Sequence, residues 1–251
     1  MEKYKKAAKQ DKLYDLATHN LMIKTINPNQ SCSHCGFLSF CTLDGGNPHW
    51  LNQTSTAVKQ EHLLKTRETL YFPQNTFHSL YAIKSGSLKT FEVDKDGNEI
   101  IRGFYFAGEI LGFEAIASGT YLFSAKALSE TIVCEIPYTH FVTLLNSNSS
   151  LQKQVLYLIS QKLSIGSYLN FITAEQRLAA FLIDLFKRLH VCEQKMEFIL
   201  PMSRQDIGNY LGLSAETISR LFSQFKENKI ISIKDKHIQF LKFDMLKLIA
   251  Q

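Results

Sequence analysis

An α+β chain in three structural parts is predicted by three observations. Between Val58 and Pro137, short apolar runs alternate with turns, and glycines fall at 86, 97, 103, 108, 112 and 119. That is the texture of a small antiparallel β-roll or jelly roll. From Leu151 to Ile172, a seam that is apolar except at Lys162 recurs at alternating spacings of four and three, which marks one long helix. Around Gly212, two capped helical stretches meet at a three-residue turn, and a hairpin pattern follows. The chain has 251 residues, of which 45% are hydrophobic and 20% charged, so it has the means to build more than one core without disulfide staples. The expected division is a cysteine-bearing segment 1–56, a roll 57–145, a long helix 146–173 and a C-terminal unit 174–251.

In the roll, Tyr81–Gly86, Leu88–Val93 and the run from Ile100 read as strands, and Asp96-Gly97-Asn98 is a hairpin signal between two of them. The long helix is expected over about 148–172. One stripe contains Leu151, Val155, Leu158, Lys162, Ile165, Leu169 and Ile172, and a neighbouring stripe contains Leu156, Ile159 and Leu163. Two stripes suit two partners: one face for the roll, the other for the same helix in a second copy. A homodimer is the expectation, with Leu151, Val155, Leu158, Ile165, Leu169 and Ile172 as its dimer-helix positions. An amphipathic helix from Thr173 comes next.

Ser203-Arg-Gln-Asp206 is a capping pattern that opens a helix over Arg204–Leu211. Gly212 stops it, and Ser214 caps a second helix from Ala215 to about Asn228. This is the spacing of a helix-turn-helix. The second helix divides into an apolar face, Ile218, Leu221, Phe222 and Phe225, and a polar face, Glu216, Ser219, Arg220 and Ser223, with Thr217 beside them. Short or planar polar side chains near a helix N-terminus suit base edges in the major groove of double-stranded DNA. Lys229–Leu241 reads as a basic hairpin, a wing placed for phosphate contact.

The formal net charge of +5 permits a nucleic-acid partner without requiring one. The N-terminal twenty residues are charged throughout and lack a signal-peptide core, and no apolar run is long enough to span a bilayer. The expectation is a cytoplasmic protein without membrane attachment. The phosphate-loop, His-Glu-x-x-His and Gly-x-Ser-x-Gly patterns of common enzyme classes do not occur, so a catalytic role is not expected.

Three of the five cysteines lie in Cys32-Ser-His-Cys35-Gly-Phe-Leu-Ser-Phe-Cys41. In a reducing compartment such a group more often binds metal than forms disulfides. On these residues alone, zinc and an iron–sulfur cluster both stand. His34 reads as a bystander and Cys192 as a free thiol.

The motifs Cys32-x2-Cys35-x5-Cys41, Val133-Cys134-Glu-Ile-Pro137, Ala179-Ala-Phe181, Asp206–Leu213 and Glu216–Arg220 carry a resemblance over nearly the whole chain. The sequence resembles the CRP/FNR family of bacterial transcription regulators, and within it the oxygen-sensing members. The resemblance implies a roll of the cyclic-nucleotide-binding type, a dimerisation helix and a C-terminal winged helix-turn-helix. It implies a [4Fe–4S] cluster on Cys32, Cys35, Cys41 and Cys134, whose loss in oxygen weakens the dimer and its hold on DNA. It implies that Glu216, Ser219 and Arg220 read half-sites of a palindrome resembling TTGAT, four bases, ATCAA, and that anaerobic gene expression is the output. RNA polymerase is an implied partner, with the hairpin at Asp94–Glu99 as the contact patch. A family member with a structural zinc site and a different signal is the alternative. The sequence also departs from its relatives. The phosphate-cradling Arg-Ser pair of nucleotide-binding members is missing between Gly108 and Lys126, so no cyclic nucleotide is expected. No acidic residue occurs from Leu151 to Thr173, and Gly166 stands near the place where relatives can carry an aspartate.

Overall fold

The computed structural model describes residues 60–147, 149–165, 173–189 and 196–251. Its first part is a roll of two four-stranded antiparallel sheets. One sheet has the order β1 (Gln60–Leu64), β8 (Thr131–Pro137), β3 (Ser79–Ser85), β6 (Ile110–Leu111). The other has the order β2 (Thr69–Tyr71), β7 (Ser124–Ala127), β4 (Ser87–Val93), β5 (Glu99–Phe106). Leu64, Ile83, Leu88, Leu111, Ala125, Ala127 and Val133 fill the space between the sheets. The predicted hairpin forms: Asp94 accepts from the backbone N–H groups of Asp96 and Asn98 at 2.9 and 2.8 Å, and Gly97 takes φ 85°. Such an Asp-led turn fixes the β4–β5 register.

Each sheet also has its outer face covered. Helices α1 (Tyr138–Ser147) and α2 (Ser149–Ile165) cover the first sheet. There Leu80, Ala82, Ile110 and Cys134 pack with Phe141, Leu151 and Val155 in one apolar cluster. The second sheet is covered by the C-terminal unit, so Phe91, Ile101, Phe104 and Phe106 share a core with residues beyond Leu178. This explains the irregular pattern of β4. Leu88 faces the roll interior, while Lys89 and Phe91 face the C-terminal unit, and Ser87 through Phe91 are all buried. A strand buried on both faces loses the alternation that marks a half-exposed one.

The long helix departs from expectation at its start. Leu151 is 1% exposed and Val155 6%, both inside the chain's own core. These two positions are therefore corrected: they pack on the roll and are not an open dimer seam. The reason is their register, since both meet the apolar outer surface made by Leu80 and Ala82. Leu158 is half-buried, and the exposed apolar groups are Leu156 (67%) and Tyr157 (60%). The Leu169 and Ile172 positions and the side chains of Lys162 and Ile165 lie outside the described residues.

The C-terminal unit begins with α3 (Ala174–Arg188), opened by a reciprocal cap between Thr173 and Gln176. Then come β9 (Glu197–Ile199), α4 (Arg204–Leu211), α5 (Ala215–Glu227), β10 (Ile231–Lys234), β11 (His237–Phe240) and α6 (Phe243–Ile249). The strands form a sheet of order β10-β11-β9. Leu178, Leu182, Phe186, Ile207, Ile218 and Phe225 are at the centre of its core.

Candidate nucleic-acid interface and the Cys134 region

Local chemistry fixes the helix-turn-helix. The Ser203 hydroxyl accepts from the Asp206 N–H at 3.0 Å, and the Asp206 carboxylate accepts from the Ser203 N–H at 3.0 Å. Gly212 ends α4 at φ 66°, in the left-handed region that glycine enters without steric cost. A Cβ at Gly208 would stand 2.5 Å from the Leu213 carbonyl oxygen. The absence of a side chain there lets the turn fold back against α4. The Ser214 hydroxyl accepts from the Thr217 N–H at 3.1 Å and starts α5. From α3, Arg177 donates to the Leu211 carbonyl at 3.1 Å, tying the end of α4 to the helix behind it.

On α5, Ile218, Leu221, Phe222 and Phe225 are buried. Glu216, Ser219, Arg220 and Ser223 are exposed along the opposite face, and Thr217 is half-buried. Thr217 also pairs with the Ser214 hydroxyl at 3.1 Å, which makes it part of the cap. The backbone N–H of Glu216 and the Ser214 hydroxyl hold the Glu216 carboxyl below the usual range, so it is an anion and an acceptor. Ser223 donates to the Ser219 carbonyl at 3.2 Å. The structure thus gathers Glu216, Ser219, Arg220 and Ser223 on one open surface.

Arg204, which sequence reasoning did not single out, opens α4 with its guanidinium 3.5 Å from the Phe222 ring centre. Its Nη1 is buried and has no hydrogen-bond partner among the described residues. The predicted wing is present, with Lys234, Asp235, Lys236 and His237 exposed at its tip.

Cys134 is 8% exposed, on β8 between Glu61 of β1 and Ala82 of β3. It shares its cluster with Leu151 and Val155 of α2. The neighbouring Glu135 accepts from Ser79 at 2.8 Å and pairs with His62 at 2.9 Å. Cys32, Cys35, Cys41, His34, Gly166 and Cys192 lie outside the described residues. In the stretch from Gly108 to Lys126, which lacks the phosphate-cradling Arg-Ser pair, the Glu109 carboxylate is taken by Arg188, at 2.8 Å to each oxygen.

A β-roll that carries a long helix, together with a winged helix-turn-helix that has an open polar face, defines a DNA-binding transcription regulator built on a sensor-type domain. The comparisons agree. Residues 61–148 match the cyclic nucleotide-binding domain family, and residues 176–249 match the Crp-like helix-turn-helix domain family. The fumarate and nitrate reduction regulatory proteins of Salmonella typhimurium and of Escherichia coli K12 are each 35% identical over 224 residues, covering 87% of this chain and 90% of theirs. Among solved structures, FixK2 from Bradyrhizobium japonicum superposes with a TM-score of 0.68 at 25% identity, covering 76% of this chain and 97% of its own. A CRP/FNR-family regulator from Thermus thermophilus shares the fold, with a TM-score of 0.60 at 20% identity over 76% of this chain and 98% of its own. The chain belongs to the CRP/FNR family of transcription regulators, and is a regulator rather than an enzyme. Among the described residues no helix is long and apolar enough to cross a membrane.

Proposed function

We propose that this chain is an oxygen-responsive regulator of anaerobic gene expression that works in the cytoplasm as a homodimer. A [4Fe–4S] cluster on Cys32, Cys35, Cys41 and Cys134 would favour the dimer, which binds a palindrome of the TTGAT, four bases, ATCAA type. The observation that carries this reading is the placement of Cys134 in the same apolar cluster as Leu151 and Val155. A ligand held at Cys134 rests against the helix proposed to dimerise.

The donor set fits the group. Four thiols are the usual complement of such a cluster, and the apolar surroundings of Cys134 restrict water around a sulfur ligand. When bound, the cluster supplies reactivity toward oxygen. Cys134 contributes a fixed anchor on a sheet, so that segment 32–41 would be clasped to the roll only while all four thiolates are engaged. Release of that clasp would alter the pressure on α2 through Leu151 and Val155. On the DNA side, Arg220 would donate to guanine, Glu216 would accept from cytosine, and Ser219 would adapt to either, with Ser223 and Thr217 at the margin. Two-fold symmetry of the dimer calls for an inverted repeat with half-sites about one helical turn apart. The exposed turn of the hairpin from Asp94 to Glu99 would be the patch offered to RNA polymerase. No cyclic nucleotide is expected, and the engagement of Glu109 by Arg188 supports that reading.

The test is iron, acid-labile sulfide and zinc per chain on protein purified without oxygen, repeated after exposure to air. About four irons and four sulfides, lost in air together with affinity for the palindrome, are the expected outcome. One zinc that survives air would replace the cluster by a structural clasp and send the search for the signal elsewhere.

A further inference from the structure

We propose that Lys89 and Arg188 form a two-point latch that fixes the angle between the roll and the helix-turn-helix, and that this angle sets which half-site spacing the dimer accepts. The inference rests on the DNA-binding dimer proposed above and assigns its spacing control to residues far from the DNA.

The first point joins β4 to α4. Lys89 is 7% exposed and donates to Asp206 at 2.6 Å, and also to Glu99. Asp206 is the reciprocal capping residue of α4, accepting from the Ser203 hydroxyl at 2.7 Å as well as from its N–H. Lys89 therefore grips the helix-turn-helix at the cap that starts it. Burial alone would lower the Lys89 pKa, but the two carboxylates outweigh it and raise it, so the charge is retained.

The second point joins the end of α3 to the roll. Arg188 donates through Nε and Nη2 to the two Glu109 oxygens, each at 2.8 Å, and through Nη1 to Asp184 at 3.1 Å. Nη2 also reaches the Phe104 carbonyl. A planar fork on a carboxylate fixes direction as well as distance. Between the two points, the Phe104 ring meets Phe181 and Tyr210 at centroid distances of 6.0 and 5.2 Å.

One anchor would leave a pivot, whereas two anchors with packing between them stop rotation. Buried ion pairs add little net stability compared with apolar replacements, but breaking one is costly and their geometry is directional. That suits a part whose task is orientation. In the latched form Glu216, Ser219, Arg220 and Ser223 stay exposed, so the latch holds the reading face open.

Lys89→Met is a clean test. It keeps the stem beside Phe91, leaves Glu99 with Lys126 at 3.2 Å, and leaves Asp206 with Ser203. Asp206→Asn is the second variant, since an amide oxygen still accepts from Ser203. Full-length dimers purified without oxygen are titrated with palindromes whose spacers are four, five and six bases, and with a single half-site. The wild type is expected to prefer one spacer by about tenfold or more, and both variants to reduce that preference to about threefold or less, with half-site affinity unchanged. Partial unfolding would lower affinity for all spacers alike, so it does not imitate this result. A variant with wild-type discrimination overturns the latch. If the wild type binds no palindrome, the DNA reading fails instead, and amide hydrogen exchange decides the latch by itself. Lys89→Met should then speed exchange in β5 and α4 but not in β1 and β8, and unchanged exchange in all four overturns it.

Discussion

At the scale of single residues, the interface separates groups that build the helix from groups free to read DNA. Ser203, Asp206, Ser214 and Thr217 are committed to caps, while Arg220 and Glu216 project outward. Arg220→Ala should therefore leave the thermal midpoint unchanged and lower affinity for the palindrome by about 1–3 kcal/mol for each lost base contact. A gel-shift titration beside thermal unfolding checks both halves, and unchanged affinity for the palindrome would remove Arg220 from the reading face. These caps were legible in the sequence because capping is local: Ser203 and Asp206 need only each other, three positions apart. The engagement of Lys89 by Asp206 was not legible, because 117 positions separate them. Nothing in Leu88-Lys-Thr announces a buried lysine.

At the scale of elements, β4 and α2 show where periodic patterns stop being informative. The alternation in β4 is blurred because both of its faces are covered. β9 is only three residues long, and α6 starts after Lys242 without a side-chain cap, so neither left a signal in the sequence. In α2 the two apolar stripes were visible, but which one met the roll was not. The choice depends on the outer surface of a sheet assembled from β8 and β3. The structure turns Leu151 and Val155 inward and Leu156 outward. Two substitutions should therefore separate. Leu151→Ala should destabilise the chain by about 2–5 kcal/mol, read as a shift in its denaturation midpoint. Leu156→Glu should leave the midpoint in place and weaken self-association, read by sedimentation of protein purified without oxygen. Undiminished association would take Leu156 out of the dimer contact.

At the scale of the whole molecule, the roll and the helix-turn-helix share one core with charged pairs at its edge. Burial alone would raise the Asp206 and Glu99 carboxyls, but Lys89, together with Ser203 at Asp206 and Lys126 at Glu99, holds both below the usual range, while Lys89 is raised. A depressed carboxyl lends stability that is full above its unfolded value, near pH 4, and is lost as pH falls through the folded value. A raised lysine lends stability that is full below its unfolded value, near pH 10.4, and is lost as pH rises through the folded one. The difference in thermal midpoint between wild type and Lys89→Met should accordingly be flat from about pH 5 to 9 and shrink in acid below about pH 4. A difference that changed near pH 7 would implicate another group.

The shared core also has a consequence for how the chain is made. A ribosome delivers the roll before the residues beyond Leu178 that cover its second sheet. For that interval Phe91, Ile101, Phe104 and Phe106 have no lid, and an apolar sheet face left open is a surface for aggregation. Lys89, Lys126 and Glu99 stand on or beside that same face. Before Lys89 serves as an anchor, it and these two neighbours keep the nascent sheet wetted, as gatekeepers do beside an unavoidable apolar strand.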